Sequence, residues 1–136
     1  MKKILYKNLN AKQKETFNFQ KVSAVLADYG YACIRLNDDW NGADFIAQHI
    51  DGLNYLKIQL KARLTFDKKY IGKDLHVCFP NNGFWYLYKH DTLLEVFLKE
   101  YSDGMAISKS WVDEGLYSWY RLGKKNLDIL KDFRIG

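Results

Sequence analysis

Between residues 10 and 29, apolar residues recur every three or four positions. Phe19, Val22, Leu26 and Tyr29 form one stripe, the pattern of an amphipathic helix. Asn10 can cap its start and Gly30 can end it. Carried back one turn, the stripe reaches Glu15, a carboxylate in line with core positions; Gln20 lies one turn further along. The period then changes. Tyr31 to Leu36 is a short apolar run, read as a strand, and residues 37 to 42 read as a loop in which Asp38 and Asp39 either bind a cation or, the favoured reading, cap the turn. Residues 41 to 63 read as one β-hairpin. Phe45, Ile46 and Ala47 lead into Asp51-Gly52, and Leu53 to Ala62 lead away. Asp-Gly between apolar runs predicts a two-residue type I′ turn. Such a turn sets Ile50 against Leu53, Gln48 against Tyr55, Ile46 against Lys57 and Asp44 against Gln59. Lys61 falls two residues beyond Gln59, on the same side of its strand. Phe45, Ala47, Leu56, Ile58 and Leu60 fall on the other side and suit a core.

The second half continues the alternation. Thr65 to Lys73 reads as a polar, basic loop, Leu75 to Phe79 as a strand ending at Pro80, Asn81-Asn82-Gly83 as a turn and Phe84 to Tyr88 as a strand. Asp91 or Thr92 caps a helix running to about Tyr101, with Thr92 and Glu95 spaced as a capping box. Ser110 to Gly115 reads as a single helical turn, and Leu127, Leu130 and Phe133 mark a terminal helix. The order α, β, β-hairpin, β, β, α, α predicts an α/β layer fold, a mixed β-sheet flanked by helices.

At 136 residues and 48% apolar, the chain suits a single domain spanning 1–136 with a real core. No run approaches the roughly 20 apolar residues of a membrane helix, and the N-terminus lacks the apolar stretch of a secretory leader. Cys33 and Cys78 stand alone without metal-ligand spacing, which predicts reduced thiols and a cytoplasmic location. His49, His76 and His90 form no ligand pattern, and His49 is expected to be exposed near the hairpin turn. Serine-nucleophile and P-loop signatures are absent. The net charge of +5 permits nucleic-acid binding, and its distribution says more than its size. From Lys57 to Lys73 six basic residues (Lys57, Lys61, Arg63, Lys68, Lys69, Lys73) face one acid, Asp67. The cluster starts at the hairpin's polar end.

Asp44, then Gln59-Leu60-Lys61 on the next strand, resembles the motif of the PD-(D/E)xK nuclease superfamily: an Asp at the start of one strand, then an acidic residue, any residue and Lys on the next. Gly42-Ala43 precedes the Asp, as among resolvase-like members, and Gln59 replaces the acid, as in Mrr-like nucleases of that superfamily. The resemblance covers roughly residues 10 to 90. It implies the restriction-endonuclease-like core and metal-dependent hydrolysis of DNA by an endonuclease. It also implies Asp44, Gln59 and Lys61 as catalytic residues, with Mg²⁺ or Mn²⁺ held by Asp44 and Gln59 and by an acid from the first helix, for which Glu15 and Gln20 compete. Lys61 would orient or deprotonate the water or stabilise transition-state charge. Lys57, Arg63, Lys68, Lys69 and Lys73 would follow the phosphate backbone. Cutting a duplex would take two sites, hence a homodimer. The alternative is a nuclease-fold module that binds nucleic acid or a protein partner with little catalysis, because Gln59 is uncharged. A third reading gives the aromatic runs Phe84-Trp85-Tyr86 and Trp111 with Tyr117-Ser118-Trp119-Tyr120 to self-association, although such residues are more often core.

Overall fold

The computed structural model describes residues 1–40 and 42–136, with Asp39 and Trp40 described in their backbone alone. Asn41 and the two side chains before it, assigned by sequence to a loop, therefore lie outside the described residues. Helix α1 spans Ala11–Ala27. Asn10 caps it, accepting from the Gln13 amide at 2.8 Å, while the Gln13 side chain accepts from Asn10 N at 2.9 Å. Then come β1 (Tyr31–Trp40), β2 (Ala43–His49), β3 (Tyr55–Leu60), β4 (Thr65–Asp67), β5 (Leu75–Asn81), β6 (Phe84–Lys89), α2 (His90–Glu100), β7 (Leu116–Ser118) and α3 (Lys124–Leu130). Five strands make one mixed sheet in the order β1-β2-β3-β5-β6, and β4 pairs with β7 in a second small sheet. Within the large sheet β3 and β5 are parallel and the other neighbours antiparallel. Among the described residues no helix is long and apolar enough to cross a membrane.

Alternation along the strands builds two cores. Phe45, Ala47 and Ile58 join Cys78 and Trp85 under Val22 and Leu26 of α1. The Phe19 ring meets Phe45 edge-on at 5.1 Å. Val77 and Phe79 of β5 and Tyr86 and Tyr88 of β6 face the other way. They pack with Phe66, with Leu93, Leu94 and Phe97 of α2, and with Trp111 and Leu130. The aromatic runs are thus largely core: Trp85, Tyr86 and Trp111 are buried, while Tyr120 and Phe84 stay exposed.

Where the strands pair, the hairpin register is the one the sequence predicts, Ile46 with Lys57 and Gln48 with Tyr55, but pairing stops at Phe45↔Ile58, so Asp44 and Gln59, expected to face each other, are not a ladder pair. The turn differs. Only Gly52 has positive φ, so the turn is not type I′. The pair closing the loop is His49 with Asn54, whose carbonyl accepts from His49 N at 2.8 Å. The loop therefore has two more residues than predicted, an even change that leaves the facing unaltered. Asp51 is the cause. Its carboxylate accepts from the amides of Asn54 at 2.9 Å and Leu53 at 2.8 Å and from the Asn54 side chain at 2.6 Å, which holds its pKa down to about 2. A two-residue type I′ geometry appears instead at Asn82-Gly83, both with positive φ, between paired Asn81 and Phe84.

Three other elements depart from expectation. β1 runs on to Trp40 through the predicted loop. The basic stretch after Thr65 is not a free loop: Phe66 and Tyr70 are buried, and Asp67–Tyr70 is tied to α2. His90, fully buried, accepts from Asp67 N at 3.1 Å through Nε2 and donates from Nδ1 to Asp91 at 2.8 Å. Asp91 in turn accepts from Gly72 N at 2.9 Å. With His90 drawn inward, α2 begins there, and the Thr92–Glu95 capping box does not form. In the terminal helix Asn126 and Leu130 are buried, not Leu127.

Tyr88 ties β6 to β4: its hydroxyl donates to Thr65 O and accepts from Thr65 N at 3.3 Å, and burial pushes its pKa up. Tyr88→Phe removes the hydroxyl partner of both backbone groups in a buried setting. We expect a loss of about 1–3 kcal/mol in urea unfolding, with little change in m-value.

Candidate active site

Asp44 stands where two strand ladders part. On one side, β1 and β2 pair regularly up to Arg35↔Phe45 and resume at Trp40↔Ala43. Residues 36–39 of β1 thus lie opposite a single residue of β2, Asp44, in a four-against-one bulge. On the other side, the β2–β3 ladder ends at Phe45↔Ile58. The next β3 amide reaching toward β2, Leu60 N, donates not to a backbone carbonyl but to Asp44 Oδ2 at 2.7 Å. The side chain takes the place of the missing rung and is fixed by it. Ala43 and Phe45 belong to different clusters: Phe45 sits under α1, and Ala43 packs with Tyr70, Leu75 and Leu36.

The chain turns into this site at Gly42, with φ of 90°. A methyl group there would meet Leu75 Cδ1 at 2.7 Å and Tyr70 ring carbons at 3.2 Å. Only glycine serves, for both conformation and space.

A cleft of about 750 Å³ opens over the parted strands. Its walls are Tyr6; Lys12, Lys14, Glu15 and Asn18 of α1; Arg35 to Asp38 of β1; Asp44 and Phe45 of β2; and Gln59 to Ala62. Asp44, Gln59, Lys61 and Glu15 therefore line one cavity. Gln20 does not; it lies on the helix face beside Ile4 and Leu9. Lys61 donates its amide to Cys78 O at 2.9 Å, and its ammonium sits 5.5 Å from the centre of the Tyr70 ring. Glu15, 72% exposed, reaches toward Arg35 with 3.9 Å between Oε2 and Nη2, and Arg35 donates to Thr16 Oγ1 at 2.8 Å.

None of the other basic residues singled out by sequence lines the cleft. Lys57 donates to Lys73 O at 2.8 Å. Arg63 stacks on Tyr120 at 3.9 Å and donates to Ser118 Oγ at 3.2 Å. Lys68 reaches Val112 O at 3.3 Å, and Lys69 reaches Asp67 at 3.7 Å. The sequence reading missed the cations that do line it, Lys12, Lys14 and Arg35. Lys14 and Asn18, four residues apart, share a helix face, but nothing along the chain shows that this face meets the cleft.

The donors lining the cleft that suit a divalent cation are hard oxygens, among them the Asp44, Glu15 and Asp38 carboxylates and the Gln59 amide. That set suits Mg²⁺ or Mn²⁺. Among the described residues no three His, Cys, Asp or Glu side chains cluster as a ready-made metal group. A metal here would draw on Gln59 and on water.

No family model matches the chain, and no curated protein matches it. Among solved structures, the Holliday junction resolvase Hjc of Archaeoglobus fulgidus is similar over 52% of this chain and 74% of its own, with 16% identity and a TM-score of 0.41. The likeness is one of chain path over part of the molecule.

Two substitutions separate the roles of Gly42 and Asp44 in shaping the site. Asp44→Ala strips the acceptor from Leu60 N and should lower stability by about 1–3 kcal/mol, whereas Asp44→Asn, which keeps an oxygen there, should lose markedly less. Gly42→Ala combines positive φ with a clash and should lose about 1–3 kcal/mol. Thermal unfolding followed by circular dichroism reads all three; equal stabilities for Asp44→Ala and wild type would remove the side-chain rung.

Proposed function

We propose that the cleft hydrolyses phosphodiester bonds in DNA with the help of Mg²⁺ or Mn²⁺, as a small endonuclease. One observation carries this reading: a carboxylate, a carboxamide and an ammonium (Asp44, Gln59 and Lys61) converge on one cavity at the point where the strands separate. Asp44, Gln59 and Glu15 would hold the cation. When bound, such an ion supplies Lewis acidity at a phosphate oxygen and a more acidic water. The residues do the rest. The Asp44–Leu60 hydrogen bond fixes the carboxylate before any ligand arrives, so no ordering is needed at the moment of binding. Lys61 offers a positive charge to the phosphoryl oxygens as negative charge builds on them. It would also orient the attacking water. Glu15, exposed and long, is the adjustable member of the set.

A second reading, binding without efficient turnover, is supported by Gln59, whose amide oxygen attracts a cation more weakly than a carboxylate would.

Plasmid DNA incubated with Mn²⁺ or Mg²⁺ should be nicked by the wild type and not by Asp44→Asn, and chelation should stop the reaction. Equal nicking by both proteins would rule out Asp44 as the metal-holding group. Gln59→Glu should keep or raise affinity for Mn²⁺ by calorimetry, because it adds charge at nearly the same position. A drop in metal affinity would argue that Gln59 is no ligand. DNA binding that persists while wild-type nicking is absent would favour the second reading.

A further inference from the structure

We infer that the nucleic-acid strand enters the cleft along the first helix, with its phosphates held by Lys12, Lys14 and Arg35. These come from α1 and β1, whereas Gln59 and Lys61 lie at the end of β3. The inference rests on the proposed nucleolytic reading of the cleft and adds the side from which the strand approaches. Six basic residues from Lys57 to Lys73 are the obvious candidates by sequence, yet five of them lie outside the cavity. Most of those are committed within the fold. The Lys57 ammonium caps a carbonyl, Arg63 lies on Tyr120 and bonds Ser118, Lys68 caps Val112 O, and Lys69 pairs with Asp67.

The helix side is different. Lys12 is exposed and lines the cavity, and no hydrogen bond or ion pair engages its ammonium among the described residues. Lys14 is held over the Tyr6 ring, its ammonium 5.3 Å from the centroid, while Tyr6 accepts from Asn18 at 2.8 Å. Arg35 is steadied by Thr16 and keeps the rest of its guanidinium toward Glu15 and solvent. Two of the three cations are thus pre-positioned by neighbours that do not neutralise them, and the one ion pair of Arg35 among the described residues is a long one, 3.9 Å, to the exposed Glu15 carboxylate. An ammonium on an aromatic face keeps its full charge for a phosphate. A guanidinium offers the paired donors that fit phosphate oxygens. Asp44 on β2, and Gln59 and Lys61 at the end of β3, would act on the scissile bond, with Glu15 reaching in from the helix. A strand lying along α1 would therefore present one phosphate to Asp44 and Lys61 while its neighbours met Lys12, Lys14 and Arg35.

The experiment measures binding of a fluorescent DNA duplex over a range of salt concentrations, without divalent metal, in the Asp44→Asn background. Lys12→Ala with Lys14→Ala is compared with Lys68→Ala with Lys69→Ala. Each lost phosphate contact flattens log affinity against log salt by about 0.9 for duplex DNA. The helix pair should flatten the slope by about 1.8 if both contacts are lost, and the Lys68/Lys69 pair should leave it unchanged. Circular dichroism confirms folding of each variant, and Lys12→Arg with Lys14→Arg, which keeps both charges, should retain the slope. An unchanged slope for the helix pair overturns the inference, as does flattening confined to the Lys68/Lys69 pair. These outcomes are separate from the nuclease reading, which stands or falls on nicking in the Asp44 comparison. A flattened slope in a protein that nicks nothing supports the strand path and rejects catalysis.

Discussion

The hydrogen bond from Leu60 N to Asp44 Oδ2, at 2.7 Å, is the point on which the site depends. A strand pair that simply stops leaves an amide without a partner, and an unsatisfied buried amide is costly. Here a carboxylate fills the vacancy. It does so at the residue where the ladder on its other side is also interrupted, by the bulge of residues 36–39. Two neighbouring strands thus draw away from β2 at one place while Leu60 N keeps a partner, and the cavity is the space that results. The same contact immobilises the carboxylate.

The rest of the fold keeps that opening in position. α1 is pinned over β2 and β3 through Phe19, Val22 and Leu26, which brings its first turns to the rim of the cleft. Gly42 admits a sharp approach under Leu75 and Tyr70. Tyr70 lies beneath Lys61 and is itself part of a segment secured to α2 by buried His90. The second core, around Phe66, Tyr88 and Phe97, has no side chain in the cleft. Its contribution is to hold the crossover between the parallel strands β3 and β5, a path that here contains β4 and a 3-10 turn and no α-helix.

Much of this was legible in the sequence, for identifiable reasons. The register of β2 on β3 follows from alternation, because a slip of one residue would have turned Phe45, Ala47 and Ile58 out of the core. The meeting of Asp44, Gln59 and Lys61 at one end of the hairpin follows from that register. The turn type was misread, because Asp51 satisfies amides further along instead of adopting positive φ. β1 was cut short at Leu36, because residues 37 to 40 are turn formers that tertiary pairing overrides. The basic segment after Thr65 looked like solvent-exposed loop; Phe66 and Tyr70, two large rings among lysines, were the overlooked sign of burial. The cationic wall on α1 could not be seen along the chain at all. It depends on which helix face meets the opening, and the apolar stripe shows only which face meets the core.

The central claim is that the parted strands around Asp44 hold a divalent cation. The most direct measurement is a substoichiometric titration of Mn²⁺ into isotope-labelled protein, read as paramagnetic broadening of backbone amide resonances. The account predicts that the amides of Asp44, Gln59, Leu60 and Lys61 broaden first and together, and that Asp44→Asn abolishes the effect. Broadening centred on Asp51 or on Asp67 and Asp91, with the Asp44 region untouched, would contradict it.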